Sequence, residues 1–439
     1  MPSVDEQLRL LMRGVVYGDE GVARAMENEL RERLAEGRPL RVYLGIDPTA
    51  PDLTLGHTVP MRKLRQFQQL GHEAVLLIGG FTALVGDPSD KESARPMLTL
   101  EEIEANGRTY AEQAFKILDP ELTVVRNNAE WLSKLTFQEL IKIASKFTVG
   151  QFLQRDNFAK RRERGDPIYV HEFFYAFMQA YDAVALETDA QVGATEQLFI
   201  LMAGRTLQRA YGQRPQIAVC MPILVGTDGR LRMSKSQGNY IALNDPPEEM
   251  YGKVMSLPDD VMMDYYELVT DVPDKELAEI GEALRTRSLN PMEVKMRLAR
   301  EIVGQFHSAE AAQQAEAEFT RVFREGEVPE QILEFRMSVS RDFMPTPVHS
   351  PSWRQIGQPP SEEVLYYLNS IPHILRAAGL VRSISEAMRL IKQGAVERGE
   401  AGRFEGIKEQ FAPVYDGMII RVGKRRFLRI VDADKRSQS

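Results

Sequence analysis

Tyr43-Leu-Gly-Ile-Asp-Pro-Thr-Ala-Pro-Asp-Leu-Thr-Leu-Gly-His57 reads as a strand, a tight polar turn and the opening of a helix. The β-rich run Arg41–Ile46 ends in Asp47-Pro48-Thr49, and helical spacing runs from 57 to 70, where Gly71 is placed to stop it. Ala74-Val-Leu-Leu-Ile78 is then wholly apolar and ends at Gly79-Gly80, the pattern of a parallel strand buried on both faces. Strand, helix and strand in succession make a βαβ unit with a right-handed crossover. At its turn Gly56 lets a ligand approach the backbone, and His57 can donate to phosphate or ribose oxygens. The helix start adds unpaired N–H groups and the positive end of a dipole, and Thr49 offers a hydroxyl. Alone, Leu-Gly-His is more often just a turn before a helix.

A second segment, Arg232-Met-Ser-Lys-Ser236, changes that weighting. It is a polar, cationic loop after the apolar run 217–225, suited to neutralising the charge of a phosphate-bearing ligand. Between the two segments, Tyr175-Ala-Phe-Met-Gln-Ala-Tyr-Asp182 sets Tyr175, Gln179 and Asp182 on one helix face. Aromatic residues on every side make this a buried helix, so Gln179 and Asp182 need partners. An internal hydrogen-bond network and a polar-ended pocket both satisfy that demand.

The remaining chain reads as helix over 6–33, broken at 14–21, and as strand over 122–126 before Asn127-Asn128. Helices are expected at 137–147, 149–162 and 170–183, an extended piece at 184–187, a helix at 196–211 and a last strand at 217–225. Residues 247–323 read as helices, and 345–360, with five prolines, as a linker. Then come an amphipathic helix at 384–393, a hairpin turn at Asp416-Gly417, and Arg421-Val-Gly-Lys-Arg-Arg-Phe427, four cations around a glycine and a ring. The divisions expected are a helical segment 1–37, a catalytic domain 38–241, a helical domain 242–344, the linker 345–360 and a basic tail domain 361–439.

At 439 residues, 43% hydrophobic and 27% charged, the composition is that of a soluble globular chain of about three domains. No run of 18 apolar residues occurs and the first 30 residues are charged throughout, so neither membrane span nor secretory signal is expected and cytoplasm is the default. The single cysteine, Cys220, excludes an internal disulfide framework and a cysteine-rich zinc site, and no protein metal site is expected. Net charge is −8, but 376–439 holds 14 Lys+Arg against 8 Asp+Glu, leaving +6 there and −14 elsewhere. A basic tail on an acidic body fits an anionic partner or a solvated surface.

The two segments, in this order and about one domain apart, resemble the HIGH and KMSKS motifs of class I aminoacyl-tRNA synthetases, which make an aminoacyl-adenylate from ATP and an amino acid. Tyr-x-Gly-x-Asp-Pro-Thr from Tyr43, Gly86-Asp-Pro-Ser89, Asn127-Asn128, Gln179-Ala-Tyr-Asp182 and Gln197 stand in the order found in bacterial tyrosyl-tRNA synthetases. Residues 361–431 are similar to a small helix-helix-β RNA-binding module first known from a ribosomal small-subunit protein.

The resemblance implies an α/β chain: a Rossmann-like parallel-sheet catalytic domain, an α-helical tRNA-side domain and a small α+β RNA-binding domain. It implies ATP-dependent attachment of L-tyrosine to its tRNA, with magnesium arriving on ATP, and a homodimer formed near 148–160. Tyr43 and Asp182 would bond the phenol with Asn128 at the floor. Asp87, Tyr175 and Gln179 would hold the ammonium, and Gln197 would lie by the carboxylate. Asp47 would sit at the adenylate, while Thr49, His57, Lys91, Arg95 and Lys235 would handle phosphates. Thr54, Gly56, Ala194, Glu196, Arg232, Met233 and Ser234 would complete the ATP side.

Four residues depart from the family pattern. Thr54 stands where the first histidine of HIGH is usual, Arg232 for the first lysine of KMSKS, Ala194 for a glycine and Glu196 for a ribose-binding aspartate. The related tryptophanyl enzymes share both motifs, but Tyr43 with Asp182 suits a phenol hydroxyl better than an indole N–H. A non-catalytic RNA-binding derivative would have little use for His57, Lys235, Asp87 and Asp182 together. A small-molecule nucleotidyltransferase leaves the tail unexplained.

Overall fold

The structure, a computed structural model, describes residues 2–87, 99–154, 156–323, 332–337, 370–400, 403–410, 412, 414–423 and 426–432. Lys91, Arg95 and the proline-rich 345–360 stretch lie outside the described residues. The chain packs as two units, Met1–Gln313 and Gln314–Ser439.

In the first unit, β1 (Arg41–Ile46), β2 (Glu73–Ile78), β3 (Thr123–Asn127), β4 (Ala190–Ala194) and β5 (Ile217–Met221) form an all-parallel sheet in the order β3-β2-β1-β4-β5. The chain steps outward from β1 to β3, then returns to the other side of β1 for β4 and β5. Adjacent connections therefore leave in opposite directions at the carboxyl ends of β1 and β4, opening a crevice there. Helix Leu55–Gln69 packs on β1, β2 and β4, while Ala183 and Leu186 pack against Tyr43, Val75 and Leu77, so these strands are buried along most of their length. On the β5 side the N-terminal segment closes the edge: Val16 N–H donates to the Cys220 carbonyl (2.9 Å) and the Tyr17 hydroxyl to the Ala218 carbonyl (2.6 Å). Arg33, almost wholly buried, bonds Asp189 (2.7 Å) and the Pro215 carbonyl. The β3 edge keeps Val124 and Val125 exposed.

Helices Val149–Leu153, Asp156–Arg164, Val170–Ala185 and Leu198–Ala210 share an aromatic core in which Phe152, Phe158, Tyr175 and Phe177 are buried. Phe152 and Phe158, two residues of the expected dimer segment, therefore belong to this core. Helices Pro247–Met255, Met262–Val269, Asp274–Arg285 and Pro291–Phe306 follow. The extended piece expected at 184–187 is instead the end of helix Val170–Ala185; Glu187 (φ +48°) turns the chain, and β4 starts at Ala190. A four-residue apolar run has no period, so a strand and a buried helix end look alike. The strand expected over 217–225 stops at Met221, because Pro222 has no N–H for the ladder.

The second unit holds β6 (Leu333–Met337), β7 (Val396–Glu400), β8 (Arg403–Gly406), β9 (Ile419–Val422) and β10 (Arg426–Asp432) in the order β6-β10-β9-β7-β8. Helices Ile371–Ala377 and Ile384–Lys392 cover it through Ile374, Leu375, Ile391, Val396, Ile420 and Leu428. β6 corrects the helical reading of 242–344 at its end: Leu333–Met337 pairs in parallel with β10. Among the described residues no helix is long and apolar enough to cross a membrane.

Candidate functional site

The crevice at the carboxyl ends of β1 and β4 is a cleft of about 220 Å³. Twelve of the expected residues line it: Asp47, Thr49, Thr54, Gly56, His57, Asp87, Tyr175, Ala194, Glu196, Gln197, Arg232 and Met233. The two motifs meet because their flanks are zipped together. Leu55 N–H donates to the Ile241 carbonyl (2.8 Å) and Leu243 N–H to the Leu53 carbonyl (3.0 Å), around a Thr54–Ala242 bridge.

Tyr43, Asn128, Gln179 and Asp182 do not line the cleft and are buried between sheet and helix. Tyr43 packs with Val75, Leu77, Ala183, Leu186 and the Trp131 ring. Asp182 accepts on both oxygens, from Trp131 Nε1–H (2.7 Å) and from Asn128 Nδ2–H (3.2 Å). Burial outweighs these two bonds and, with the nearby Asp47 charge, pushes the Asp182 carboxyl up to about 8. Asn128 Nδ2 also donates to Thr82 Oγ1 (2.9 Å), which donates to Asp47 Oδ1 (2.7 Å). One polar chain thus runs from the indole to the Asp-Pro-Thr turn. Burial, then the Asp182 charge, raises the Tyr43 hydroxyl well above its usual range. Among the described residues Tyr43 Oη and Gln179 Oε1 are buried with no hydrogen-bond partner, two polar groups whose desolvation is not offset there.

Trp131 and Thr82 escaped the sequence reading. Trp131 carried a signal, an indole donor three residues after Asn128. Gly79 also belongs here: a Cβ on it would lie 2.0 Å from Asp47 Oδ1 and 2.4 Å from Thr82 Oγ1, so only glycine leaves that bond intact. Toward the cleft, Gln197 Nε2 donates to Asp87 Oδ2 (2.7 Å) while its Oε1 accepts from Ala194 N–H (3.0 Å). Tyr175 pairs with Asp47 and, chiefly through burial and then through the Asp47 and Asp87 charges, keeps its hydroxyl protonated.

At the helix start, His57 Nδ1 accepts from Thr54 N–H (3.1 Å) and lies 2.8 Å from Thr54 Oγ1. A nitrogen that accepts carries no proton, so the neutral ring holds its hydrogen on Nε2. Burial, with the Lys235 and Arg232 charges, holds His57 down at about 4. Thr54 is 2% exposed and spends its hydroxyl on the ring, so it clamps His57 in one tautomer. The 232–236 loop lies against this motif. Met233 Sδ is 3.3 Å from Gly56 N, Lys235 Nζ donates to the Asp52 carbonyl, and Arg232 pairs with Glu196 at 3.0 Å. Among the described residues no group of three or more His, Cys, Asp or Glu side chains could hold a metal ion.

A family model described as tRNA synthetases class I (W and Y) matches residues 35–324. The tyrosine–tRNA ligase of Carboxydothermus hydrogenoformans is 48% identical over 433 residues, spanning 98% of this chain and 99% of that protein. That of Thermotoga maritima is 46% identical over 427 residues, 97% of each. The chain belongs to the tyrosine–tRNA ligase family.

Two solved structures share its fold at 24% identity. Tyrosyl-tRNA synthetase from Archaeoglobus fulgidus, solved with L-tyrosine, gives a TM-score of 0.57 over 72% of this chain and all of that one. The C-terminally truncated mitochondrial tyrosyl-tRNA synthetase of Aspergillus nidulans gives 0.58 over 74% and 95%. For a tyrosine–tRNA ligase the four departures become intelligible in part. Arg232 and Glu196 form an ion pair with each other across the cleft wall, and Thr54 serves His57. Nothing in the structure explains Ala194.

Proposed function

We propose that this chain is a tyrosine–tRNA ligase whose phenol-reading groups are Tyr43 and Asp182, with Asn128 and Trp131 setting the Asp182 carboxylate. The observation that carries this reading is that Asp182 takes two donors while Tyr43 Oη, near enough to feel the Asp182 charge, is buried without a partner among the described residues. A phenol hydroxyl can donate to the first and accept from the second; an indole N–H can only donate.

Asp87, Tyr175 and Gln179 are assigned to the substrate ammonium, and Gln197 to the carboxylate side. The carboxylate oxygen attacks the α-phosphorus, a new O–P bond forms, and the bond to the bridging oxygen breaks to release pyrophosphate. Positioning and charge stabilisation suffice for this step. His57 Nε2–H and Lys235 supply donors, Thr49, Lys91 and Arg95 further phosphate contacts, and Asp47 with Glu196 the adenosine side. Magnesium enters on the ATP phosphates and screens their charge. The terminal ribose hydroxyl of the tRNA then attacks the carbonyl carbon, and AMP leaves.

The second unit is assigned to tRNA, in the cytoplasm. Exposed Arg382 and Arg389 stand with Arg426 around a cavity beside helix Ile384–Lys392, in reach of a phosphate backbone. Two of the four cations near Gly423 are occupied internally: Arg421 pairs with Glu397 (2.6 Å) and covers the Phe404 ring, and Arg426 donates to the Leu380 carbonyl. A homodimer is proposed through the exposed Phe137, Ile141, Val149, Tyr169 and Val170 and the open β3 edge.

Asp182→Asn tests the site. Both carboxylate oxygens accept, so whichever way the amide turns, its NH₂ faces the Trp131 or the Asn128 donor. Losing a buried acceptor leaves a donor unpaired and costs about 1–3 kcal/mol, roughly a 5- to 150-fold fall in kcat/KM for tyrosine. Unaltered tyrosine kinetics in a folded variant would refute the assignment.

A further inference from the structure

The Lys235 loop owes its shape to a residue outside both motifs. Asn239 is 5% exposed and its side-chain amide is used on both ends. Oδ1 accepts from Ser234 N–H (2.9 Å), while Nδ2 donates to Asp228 Oδ2 (3.0 Å) and to the Arg232 carbonyl (3.1 Å). Its backbone carbonyl accepts from Thr227 N–H (2.9 Å). Asp228 in turn accepts from Arg230 N–H (3.0 Å) and Leu231 N–H (3.1 Å), closing the hairpin that leads into the loop. One amide therefore fixes the backbone on both sides of Met233, the residue that docks on Gly56. Gly226 is matched to it: a Cβ there would lie 2.2 Å from Asn239 Nδ2. Neither Asn239 nor Gly226 lines the cleft.

We infer that Asn239 is a positioning residue for adenylate formation, holding residues 226–236 in the conformation that docks Met233 on Gly56 and brings Lys235 to the His57 end of the cleft. The inference rests on the proposed role of Lys235. Tyrosine is bound by other elements, so loosening the loop should slow chemistry without weakening tyrosine binding.

The test uses the full chain with Asn239→Ala, Asn239→Asp and Gly226→Ala. The aspartate keeps the shape but turns the Nδ2 donor into an oxygen facing the Asp228 carboxylate and the Arg232 carbonyl. The alanine at 226 displaces the amide without altering it. All three should lower kcat of tyrosine-dependent ATP–pyrophosphate exchange roughly 10- to 100-fold, as expected for two or three lost hydrogen bonds, with the KM for tyrosine within about twofold of the parent. Limited trypsin digestion should cut faster after Arg230, Arg232 and Lys235 in each variant, with cleavage elsewhere unchanged. An unchanged kcat, or a tyrosine KM that rises in step with the loss, overturns the inference, as does unaltered cleavage in the loop. If the parent itself shows no tyrosine-dependent exchange, the functional reading fails, while the trypsin comparison still reads the loop geometry.

Discussion

Replacing Tyr43 with phenylalanine separates what the pocket costs the protein from what it does for the substrate. The Tyr43 side chain is wholly buried and its hydroxyl has no hydrogen-bond partner among the described residues. An unsatisfied buried hydroxyl is destabilising by about 1–3 kcal/mol, so its removal should leave stability unchanged or raise it by about 1 kcal/mol. Tyrosine loses one neutral hydrogen bond worth about 0.5–1.5 kcal/mol, roughly a 2- to 13-fold fall in kcat/KM. Phenylalanine offers that hydroxyl nothing, and its kinetics should hold, so the tyrosine-to-phenylalanine ratio narrows by the same factor. The assay is ATP–pyrophosphate exchange driven by each amino acid, with urea unfolding of parent and variant alongside. An unchanged ratio in a folded variant would refute the reasoning. A variant less stable by more than about 1 kcal/mol would show that the hydroxyl is satisfied within the protein.

His57 titrates near 4, below the usual 6.5 of a histidine, so its ring is neutral through the physiological range. Exchange activity should show no inflection near pH 6.5 from this group. Because the unfolded chain takes up the proton first, His57 should cost stability as pH falls from 6.5 toward 4, and His57→Gln should flatten that part of the profile in pH-dependent unfolding. In the second unit, Arg382→Glu with Arg389→Glu should raise the KM for tRNA and lower the slope of log affinity against log salt by roughly 1–2, with tyrosine activation unaffected. Unaltered tRNA charging at all salt concentrations would place the RNA elsewhere.

Where the chain carried local chemistry, it was legible. Asp47-Pro48-Thr49, Gly56 and His57 sit at the end of β1 because turn residues and an apolar strand leave few other choices, and Arg232 and Met233 reach the cleft from a cationic loop after a buried run. What stayed hidden depends on separate elements being brought together. Thr82 and Trp131 join Asn128 and Asp182 from three separate stretches, and only the order β3-β2-β1-β4-β5 makes those stretches neighbours. Thr54 reads as a shorter substitute for a ligand-binding histidine, and its contact with His57 Nδ1, 2.8 Å away, shows only in the fold. Likewise Arg232 and Glu196 look like two independent departures until the fold sets them 3.0 Å apart. Leu333–Met337 looked like part of a helical stretch because its partner, β10, lies about a hundred residues further on, and long-range pairing leaves little local trace.

Amino-acid-dependent ATP–pyrophosphate exchange, run with each of the common amino acids on the full chain, tests the central claim most directly. L-Tyrosine alone should support strong exchange, because in the proposed pocket a ring hydroxyl can donate to Asp182 and accept from Tyr43, whereas phenylalanine offers neither and an indole N–H only donates. Exchange driven best by tryptophan, or none with any amino acid, would contradict it.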